Sequence, residues 1–301
     1  MSRKDFLISA FVMLIWGFNF VMIKLGASEV NPLLMTAARF TLAVVPLIFF
    51  IRKPDVAWRY LISYGVIFGV GVWGMASWSV TAGVTAGMSS VLLQTNVLFG
   101  ILVGIVIYKE TLNRLKIMGC GLALLGLVIS IVTTNGNVTS FGLMLIMISA
   151  ISWTSIGVIV KASKVKQAFA FNVWGMLFAP IPLVILAVSL YGTDVLNHAY
   201  EVWSWNTSLA VMFQAYPTTL FGYWVWNRML LKYPFSTVAP ITLLVPIFGL
   251  FSGYIVYNET LSTPQLYSCG LFLIGTLMII LVPNNQHSFN KMGWLNIKRS
   301  T

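Results

Sequence analysis

Ten apolar segments run through this chain, and each is long enough to cross a lipid bilayer as a helix. A membrane-spanning helix needs about 20 mostly apolar residues. With 58% hydrophobic and only 8% charged residues, the chain cannot cover its apolar surface in water as a soluble domain does. The predicted spans are Phe6–Gly26, Pro32–Ile51, Ile62–Thr81, Ala86–Tyr108, Leu115–Val132, Phe141–Val160, Phe171–Leu190, Thr207–Leu230, Phe235–Tyr257 and Pro264–Val282.

The basic residues lie on one side of this ten-span arrangement. Of the 18 Lys and Arg residues, sixteen fall at the N-terminus, around the even-numbered loops or in the C-terminal tail. Two lie inside spans, and the odd-numbered loops contain none. Positively charged residues stay on the cytoplasmic side of a membrane. The sequence therefore predicts a bacterial inner-membrane protein with both termini in the cytoplasm.

The net charge of +11 follows from the same arrangement. A basic cytoplasmic face is favoured over a nucleic-acid-binding patch, and contact of this face with membrane lipid is expected. No nucleic-acid partner and no obligate protein partner are inferred from the sequence.

The second half of the chain repeats the first. A shift of 149 residues aligns the pattern Tyr-x-Glu-Thr-Leu at 108–112 with the same pattern at 257–261. A weaker match at a shift of 137 residues aligns Trp16 with Trp153 and Lys24 with Lys161. We therefore predict two five-helix repeats, residues 5–132 and 141–282, followed by a cytoplasmic tail at residues 283–301.

The odd number of spans in each repeat decides their relative orientation. After five spans the chain has changed sides, so the second repeat must enter the membrane from the opposite face. The charges agree, because basic residues surround the first Tyr-x-Glu-Thr-Leu pattern and none surrounds the second. Inverted repeats are typical of secondary transporters, in which the substrate site lies near the midplane between the two halves.

Polar or large amphipathic side chains within spans are the candidates for that site, because polar groups are costly in a membrane. Arg39 lies near the middle of span 2, where it can hold a substrate carboxylate or brace neighbouring helices. Lys24 lies near the outer end of span 1 and can extend to the interface. The predicted substrate-binding residues are Trp16, Asn19, Lys24, Arg39, Gln94, Asn96, Trp153, Gln214 and Tyr216.

Several members of this set have two interpretations. Gln94 and Asn96 are two residues apart and point to nearly opposite sides of a helix, so we expect only one of them to face a cavity. Trp16 and Trp153 are either core residues or site residues. Pro217 lies inside span 8, where it frees a backbone carbonyl that needs another partner.

Other classes of chemistry find little support in the sequence. The seven acidic residues and the two histidines lie in loops, in the tail or at span ends. No intramembrane acid–base pair, metal-ligand cluster or phosphate-binding glycine loop is seen, so we predict neither an enzyme nor a cofactor or metal. Cys120 and Cys269 are interpreted as small helix-packing residues.

Short motifs at these positions resemble a known family. They are Trp16-Gly17-x-Asn19-Phe20 followed by Lys24, Ala38-Arg39-Phe40, and a Glu-Thr-Leu after the fourth span of each repeat. Together with the ten-span arrangement, they resemble the EamA-type drug/metabolite transporter superfamily over about residues 5–282. Leu93-Gln94, Ala239-Pro240 and Leu244-Val245-Pro246 are most similar to its O-acetylserine/cysteine exporter branch, although much of spans 3 and 6 differs from it.

The resemblance implies an inner-membrane exporter of small amino acids such as cysteine and O-acetylserine, working by alternating access. Arg39 or Lys24 would bind the carboxylate of such a zwitterion, and Asn19, Asn96, Gln214 or Trp16 its ammonium group. The alternatives are a carrier of another amphiphilic metabolite or drug, and a membrane protein that does not transport.

Overall fold

The computed structural model describes residues 1–106, 114–133, 138–232, 241–242 and 244–281. Within these ranges the chain is helical and contains no β-strand. Helices satisfy their backbone N–H and C=O groups internally, as an apolar chain in lipid requires. The prediction of an all-helical protein with several membrane-capable helices is confirmed.

The described part of the first half has seven helices, and a π-helical stretch, Ile67–Gly74 (the first π stretch), joins α3 to α4. The helices are α1 (Arg3–Ala27), α2 (Pro32–Ile48), α3 (Trp58–Val66), α4 (Met75–Thr81), α5 (Ala86–Leu93), α6 (Asn96–Val106) and α7 (Arg114–Val132).

The described part of the second half has eight helices, with a second π stretch, Gln214–Phe221, between α12 and α13. The helices are α8 (Ser140–Ser163), α9 (Ala168–Met176), α10 (Pro180–Tyr191), α11 (Asp194–Val202), α12 (Trp205–Phe213), α13 (Gly222–Lys232), α14 (Leu244–Tyr257) and α15 (Thr263–Leu281).

Five helical segments of the described chain are long and apolar enough to cross a membrane by length and composition. They are Arg3–Ala27, Trp58–Thr81, Ala86–Val103, Ser140–Val160 and Ala168–Tyr191. Shorter apolar helices cover Pro32–Ile48, Leu244–Tyr257 and Thr263–Ile279. The total of ten spans and the boundaries of the two repeats stay predictions. The first Tyr-x-Glu-Thr-Leu copy at 108–112, Pro240 and the tail at 283–301 lie outside the described residues.

Spans 3 and 8 are not the uninterrupted α-helices that the hydropathy predicts, since each contains a π stretch. The two stretches begin at Ile67 and Gln214, 147 residues apart, which is close to the repeat shift of 149. The second contains Pro217, which has no backbone N–H for a helical hydrogen bond. Single π turns are rare and often occur at functional sites.

Spans 4 and 7 are also interrupted. Span 4 breaks at residues 94–95, where Thr95 Oγ1 donates to Leu92 O at 2.6 Å and Asn96 Nδ2 donates to Leu93 O at 3.0 Å. Such side-chain bonds to nearby carbonyls compete with the regular helical pattern. Span 7 is divided between α9 and α10. Helix α10 begins at Pro180, and proline is well accommodated at the first position of a helix.

Helices α7 and α15 pack against each other through glycines. A Cβ atom at Gly119 would lie 2.7 Å from Gly275 O, and one at Gly126 would lie 2.6 Å from both Phe272 N and Ser268 O. Small residues allow helix backbones to approach closely in membranes, where van der Waals packing drives association.

Polar contacts join the two halves near the ends of the helices. Asp5 Oδ2 lies 2.7 Å from Lys232 Nζ at the end of α13. The Glu29 carboxylate, in the loop before α2, accepts hydrogen bonds from Ser204 and Thr207 at the start of α12. These bonds hold the pKa of Glu29 below its usual value, and the bond from Ser204 contributes most.

Candidate functional site

Arg39 is the largest fully buried side chain of the described core. Its Nε donates to Thr219 Oγ1 at 2.9 Å, and the guanidinium carbon lies 4.1 Å from the centre of the Trp73 ring. The two terminal nitrogens, Nη1 and Nη2, are buried and have no hydrogen-bond partner among the described residues. Arg39 therefore has a fixed orientation but keeps its bidentate edge free for an acceptor.

The two π stretches hold this guanidinium. Trp73 belongs to the first and stacks on Arg39, whereas Thr219 belongs to the second and accepts from it. Thr219 Oγ1 donates its own proton to Gln214 O at 2.7 Å, which leaves a lone pair directed at Arg39 Nε. A residue of the first half is thus positioned by both halves of the chain.

Trp73, which stacks on Arg39, belongs to a group of aromatic rings that meet at Tyr223 on α13. The Tyr223 ring lies 5.2 Å from Trp16, 5.5 Å from Phe68 and 6.5 Å from Trp153, measured between centroids. Trp73 and Trp153 are 5.6 Å apart. We call Trp16, Phe68, Trp73, Trp153 and Tyr223 the aromatic cluster. The structure brings Arg39, Trp16 and Trp153, three of the predicted site residues, into one region.

Two members of the aromatic cluster carry buried polar atoms that face each other. Trp73 Nε1 and the Tyr223 hydroxyl interact with one another, and neither makes a hydrogen bond of ordinary geometry within the described chain. Trp16 Nε1, in contrast, donates to Thr218 O at 3.0 Å. Trp16 is therefore anchored to the irregular backbone of the second π stretch, and the Tyr223 hydroxyl keeps its own proton for another acceptor.

Sequence reasoning missed Trp73, Tyr223 and Thr219. A list of every midspan tryptophan and tyrosine would have included the first two. Nothing in the sequence linked Thr219 or Tyr223 to Arg39, because both lie about 180 positions further along the chain.

Asn19 and Gln214 are fully buried, as expected of midspan amides. Both amide atoms of Asn19 lack a hydrogen-bond partner in the described chain, and so does Gln214 Oε1. Gln214 Nε2 lies 3.6 Å from Met35 Sδ. Gln214 adjoins the Arg39 region through its carbonyl bond to Thr219, and Asn19 lies one helical turn after Trp16.

Gln94 and Asn96 stabilise the break in span 4. Gln94 Nε2 donates to Thr242 O at 3.0 Å, across the two halves, and Asn96 Nδ2 donates to Leu93 O. Asn96 O accepts from Thr154 Oγ1 at 3.1 Å. Their amide donors are thus already bonded to backbone, and a role in binding substrate stays a prediction.

Lys24 and Tyr216 differ from the buried residues around Arg39. Lys24 Nζ pairs with Glu259 Oε1 at 2.8 Å and lies 4.2 Å from the centre of the Tyr257 ring, so the ammonium is not simply extended into the interface. Tyr216 is 38% exposed. A role of Lys24 and of Tyr216 in binding substrate stays a prediction.

Glu259, the glutamate of the second Tyr-x-Glu-Thr-Leu pattern, connects Lys24 to helix α5. Its carboxylate accepts from Ala86 N at 3.0 Å and from Gly87 N at 2.9 Å, at the start of α5. The Glu259 side chain is 8% exposed and that of Lys24 is 34% exposed. An anion at a helix N-terminus satisfies unpaired N–H groups and interacts favourably with the helix dipole. The motif therefore joins a loop of the second half to α1 and α5 of the first half.

Comparison with known proteins identifies the chain. The profile of the EamA-like transporter family matches it twice, at residues 4–132 and at residues 140–281. The chain belongs to the EamA-like transporter family.

Relatives of this EamA-like transporter include two proteins named "Probable amino-acid metabolite efflux pump". The one from Salmonella typhimurium is 32% identical over 281 residues, and the one from Escherichia coli K12 is 31% identical over 281 residues. Each alignment covers 91% of this chain and 94% of the relative. A solved crystal structure superposes with a TM-score of 0.59, covering 94% of this chain and 100% of its own at 18% identity, which supports the fold alone.

Proposed function

We propose that this transporter exports small amino-acid metabolites across the bacterial inner membrane, with Arg39 binding the substrate carboxylate. The observation that carries the proposal is the buried Arg39 guanidinium, held by Thr219 and Trp73, with both terminal nitrogens unpartnered in the described chain. The names of the two efflux-pump relatives support the substrate class. The cysteine and O-acetylserine class comes from the resemblance of the motifs.

The buried charge of Arg39 is costly unless an anion pairs with it. Removing a guanidinium from water costs several kilocalories per mole, on the order of 5, even after the protein relaxes. One hydrogen bond to the uncharged hydroxyl of Thr219 and stacking on Trp73 offset part of this cost. A carboxylate that bonds to Nη1 and Nη2 together would offset much more, because both partners are then ionised and the pair is bidentate. Arg39 is therefore proposed as a binding residue rather than a helix brace.

The proposed architecture is two inverted five-helix repeats with ten spans and cytoplasmic termini. The distribution of basic residues supports the orientation, and the two matches of the family profile support the repeat. The π stretches at equivalent positions in spans 3 and 8 fit the same symmetry.

Alternating access follows from this arrangement. Arg39 lies between groups from both halves, and the bond from Gln94 to Thr242 O also crosses between them at the break in span 4. Rocking of one half against the other would separate these contacts on one side of the site and close them on the other. Interrupted helices allow such motion because their ends need not move as one rod.

Flux measurements in proteoliposomes test the proposal. We expect saturable counterflow of labelled O-acetyl-L-serine or cysteine by the intact chain. Arg39→Lys keeps the charge but loses the planar fork, so transport should fall while insertion and folding persist. The matched control is Arg59→Lys, because Arg59 is exposed at the start of α3. Normal flux by Arg39→Lys and by Arg39→Ala would remove Arg39 from the site.

A further inference from the structure

We propose that the Arg39 site prefers substrates of net charge −1, namely amino acids whose amine is blocked by acylation, over zwitterionic amino acids. This inference rests on the proposed function, since it takes Arg39 as the residue that binds the substrate carboxylate. It concerns what the remaining polar groups around that carboxylate can accept or donate.

The positive charge of the Arg39 guanidinium decides which substrate group fits beside it. Its two terminal nitrogens are buried and unpartnered in the described chain, and they only donate. Gln214 Oε1, Thr218 Oγ1 and Asn19 Oδ1 are buried acceptors that also lack a partner there. All three are uncharged, so they can accept an N–H group but cannot neutralise an ammonium. A substrate with one negative charge is therefore matched better than one that also brings a positive charge.

Three carbonyl oxygens of the two π stretches already accept hydrogen bonds from protein side chains. Thr218 O accepts from Trp16 Nε1, and Gln214 O accepts from Thr219 Oγ1. In the first π stretch, Val72 O accepts from Ser149 Oγ at 2.7 Å. These carbonyls would have been natural partners for a substrate ammonium, but their hydrogen bonds hold the site together instead.

No described carboxylate lies near Arg39 to balance an ammonium group. Glu259 is bonded to Lys24 and α5, Glu29 to the start of α12, and Asp5 to Lys232. The other described acidic residues lie in the α2–α3 loop and on α11: Asp55, Asp194 and Glu201. Glu110 lies outside the described residues.

Charge balance then favours the anion. A monoanion neutralises the Arg39 guanidinium, whereas a zwitterion leaves an ammonium that must find partners in a low-dielectric site. Aromatic faces attract cations, but less strongly than a carboxylate does, and the Trp73 face is already occupied by Arg39.

An acyl amide suits the remaining groups in particular. Its carbonyl can accept from Trp73 Nε1 or the Tyr223 hydroxyl, and its single N–H can donate to Gln214 Oε1, which is unpartnered in the described chain. The apolar part of the acyl group would contact the aromatic cluster, where burial of apolar surface is favourable.

Two isomers test the inference with composition held constant. N-acetyl-L-serine is an anion and O-acetyl-L-serine is a zwitterion at mildly acidic pH, where the acyl group does not migrate. Each isomer is added as a competitor of counterflow in proteoliposomes of the full chain. N-acetyl-L-serine should halve the counterflow at a concentration about tenfold lower than O-acetyl-L-serine requires. Equal potency, or greater potency of O-acetyl-L-serine, would overturn the inference while leaving the proposed function intact.

Substitutions locate the preference. Trp73→Phe keeps the ring but removes Nε1, and we expect it to reduce the ratio between the two isomers. Arg39→Gln should weaken the binding of both isomers and make their inhibitory potencies nearly equal. Arg59→Gln, at an exposed position, should leave the ratio of the two potencies unchanged. An unchanged ratio in both Trp73→Phe and Arg39→Gln would refute the assignment. If Arg39→Gln does not fold, Trp73→Phe and the wild-type comparison decide. Transport of neither isomer nor cysteine by a folded wild-type chain would reject the proposed function itself.

Discussion

Substitution of Glu259 by glutamine tests whether the second Tyr-x-Glu-Thr-Leu pattern holds the two halves together. In the structure, one carboxylate makes three short contacts: Lys24 Nζ at 2.8 Å, Gly87 N at 2.9 Å and Ala86 N at 3.0 Å. The side chain is 8% exposed, so water replaces little of what is lost. Glutamine retains one acceptor oxygen but places an N–H2 group where the second oxygen was.

The expected loss can be estimated contact by contact. A hydrogen bond to a buried charged group contributes about 2 kcal/mol, and the charge at the start of α5 contributes roughly 0.5 kcal/mol more through the helix dipole. Lys24 is one-third exposed, so its ion pair is discounted to about 0.5 kcal/mol. With one backbone bond retained by glutamine, we expect Glu259→Gln to lower the free energy of unfolding by about 3 kcal/mol.

Denaturant titration of the purified protein in detergent micelles measures this loss. The control is Glu201→Gln, because Glu201 is exposed at the end of α11. Lys24→Met should cost less than Glu259→Gln, because the bonds from Ala86 and Gly87 remain. A value for Glu259→Gln no larger than that of Glu201→Gln would refute the reasoning. A Lys24→Met variant as unstable as Glu259→Gln would show that the ion pair, and not the helix cap, carries the energy.

Four further outcomes are expected. Gly126→Val should destabilise the protein by about 3 kcal/mol in the same titration, because its new side chain meets the α15 backbone rather than a movable side chain. Reporter fusions after Asp55 should be cytoplasmic and those after Thr260 periplasmic, and a cytoplasmic result at Thr260 would defeat the inverted repeat. An imposed proton gradient without a substrate gradient should drive no uphill accumulation in proteoliposomes, since the described acidic groups lie in loops or near helix ends. Glu29 has a lowered pKa, so its stabilising contribution should persist above about pH 4.5 and disappear as the pH falls through its folded pKa, a dependence that Glu29→Gln should remove.

The break in span 4 shows the limit of prediction by hydropathy. Residues 86–108 are apolar enough to form one span, and the sequence places Gln94 and Asn96 in it as two amides on opposite sides. Whether an amide points into a cavity or bonds to the backbone depends on which carbonyls lie nearby. In the structure, Asn96 bonds within its own turn and Gln94 reaches Thr242 in the other half.

Lys24 and Glu259 illustrate the same limit in a different way. Both residues are recognisable from their motifs, and their positions near span ends are clear from the sequence. Their pairing across 235 positions is not, because it requires α1, α5 and the end of α14 to meet at one point. Extension of Lys24 to the membrane interface was the simpler expectation, because a sequence does not show which counter-ion is within reach.

The sequence by itself determined the helical class, the placement of the basic residues, the internal similarity of the two halves and the family. Each of these depends on local composition or on aligned motifs, and hydrophobicity acts on every segment independently of its neighbours. The tertiary structure alone decided the surroundings of Arg39, on which the proposed site rests. Arg39 is one midspan arginine until packing places Thr219, Trp73 and Tyr223 around it and leaves its terminal nitrogens unpartnered among the described residues. Distances of a few ångströms between residues far apart in the chain determine that arrangement, and no local pattern encodes them.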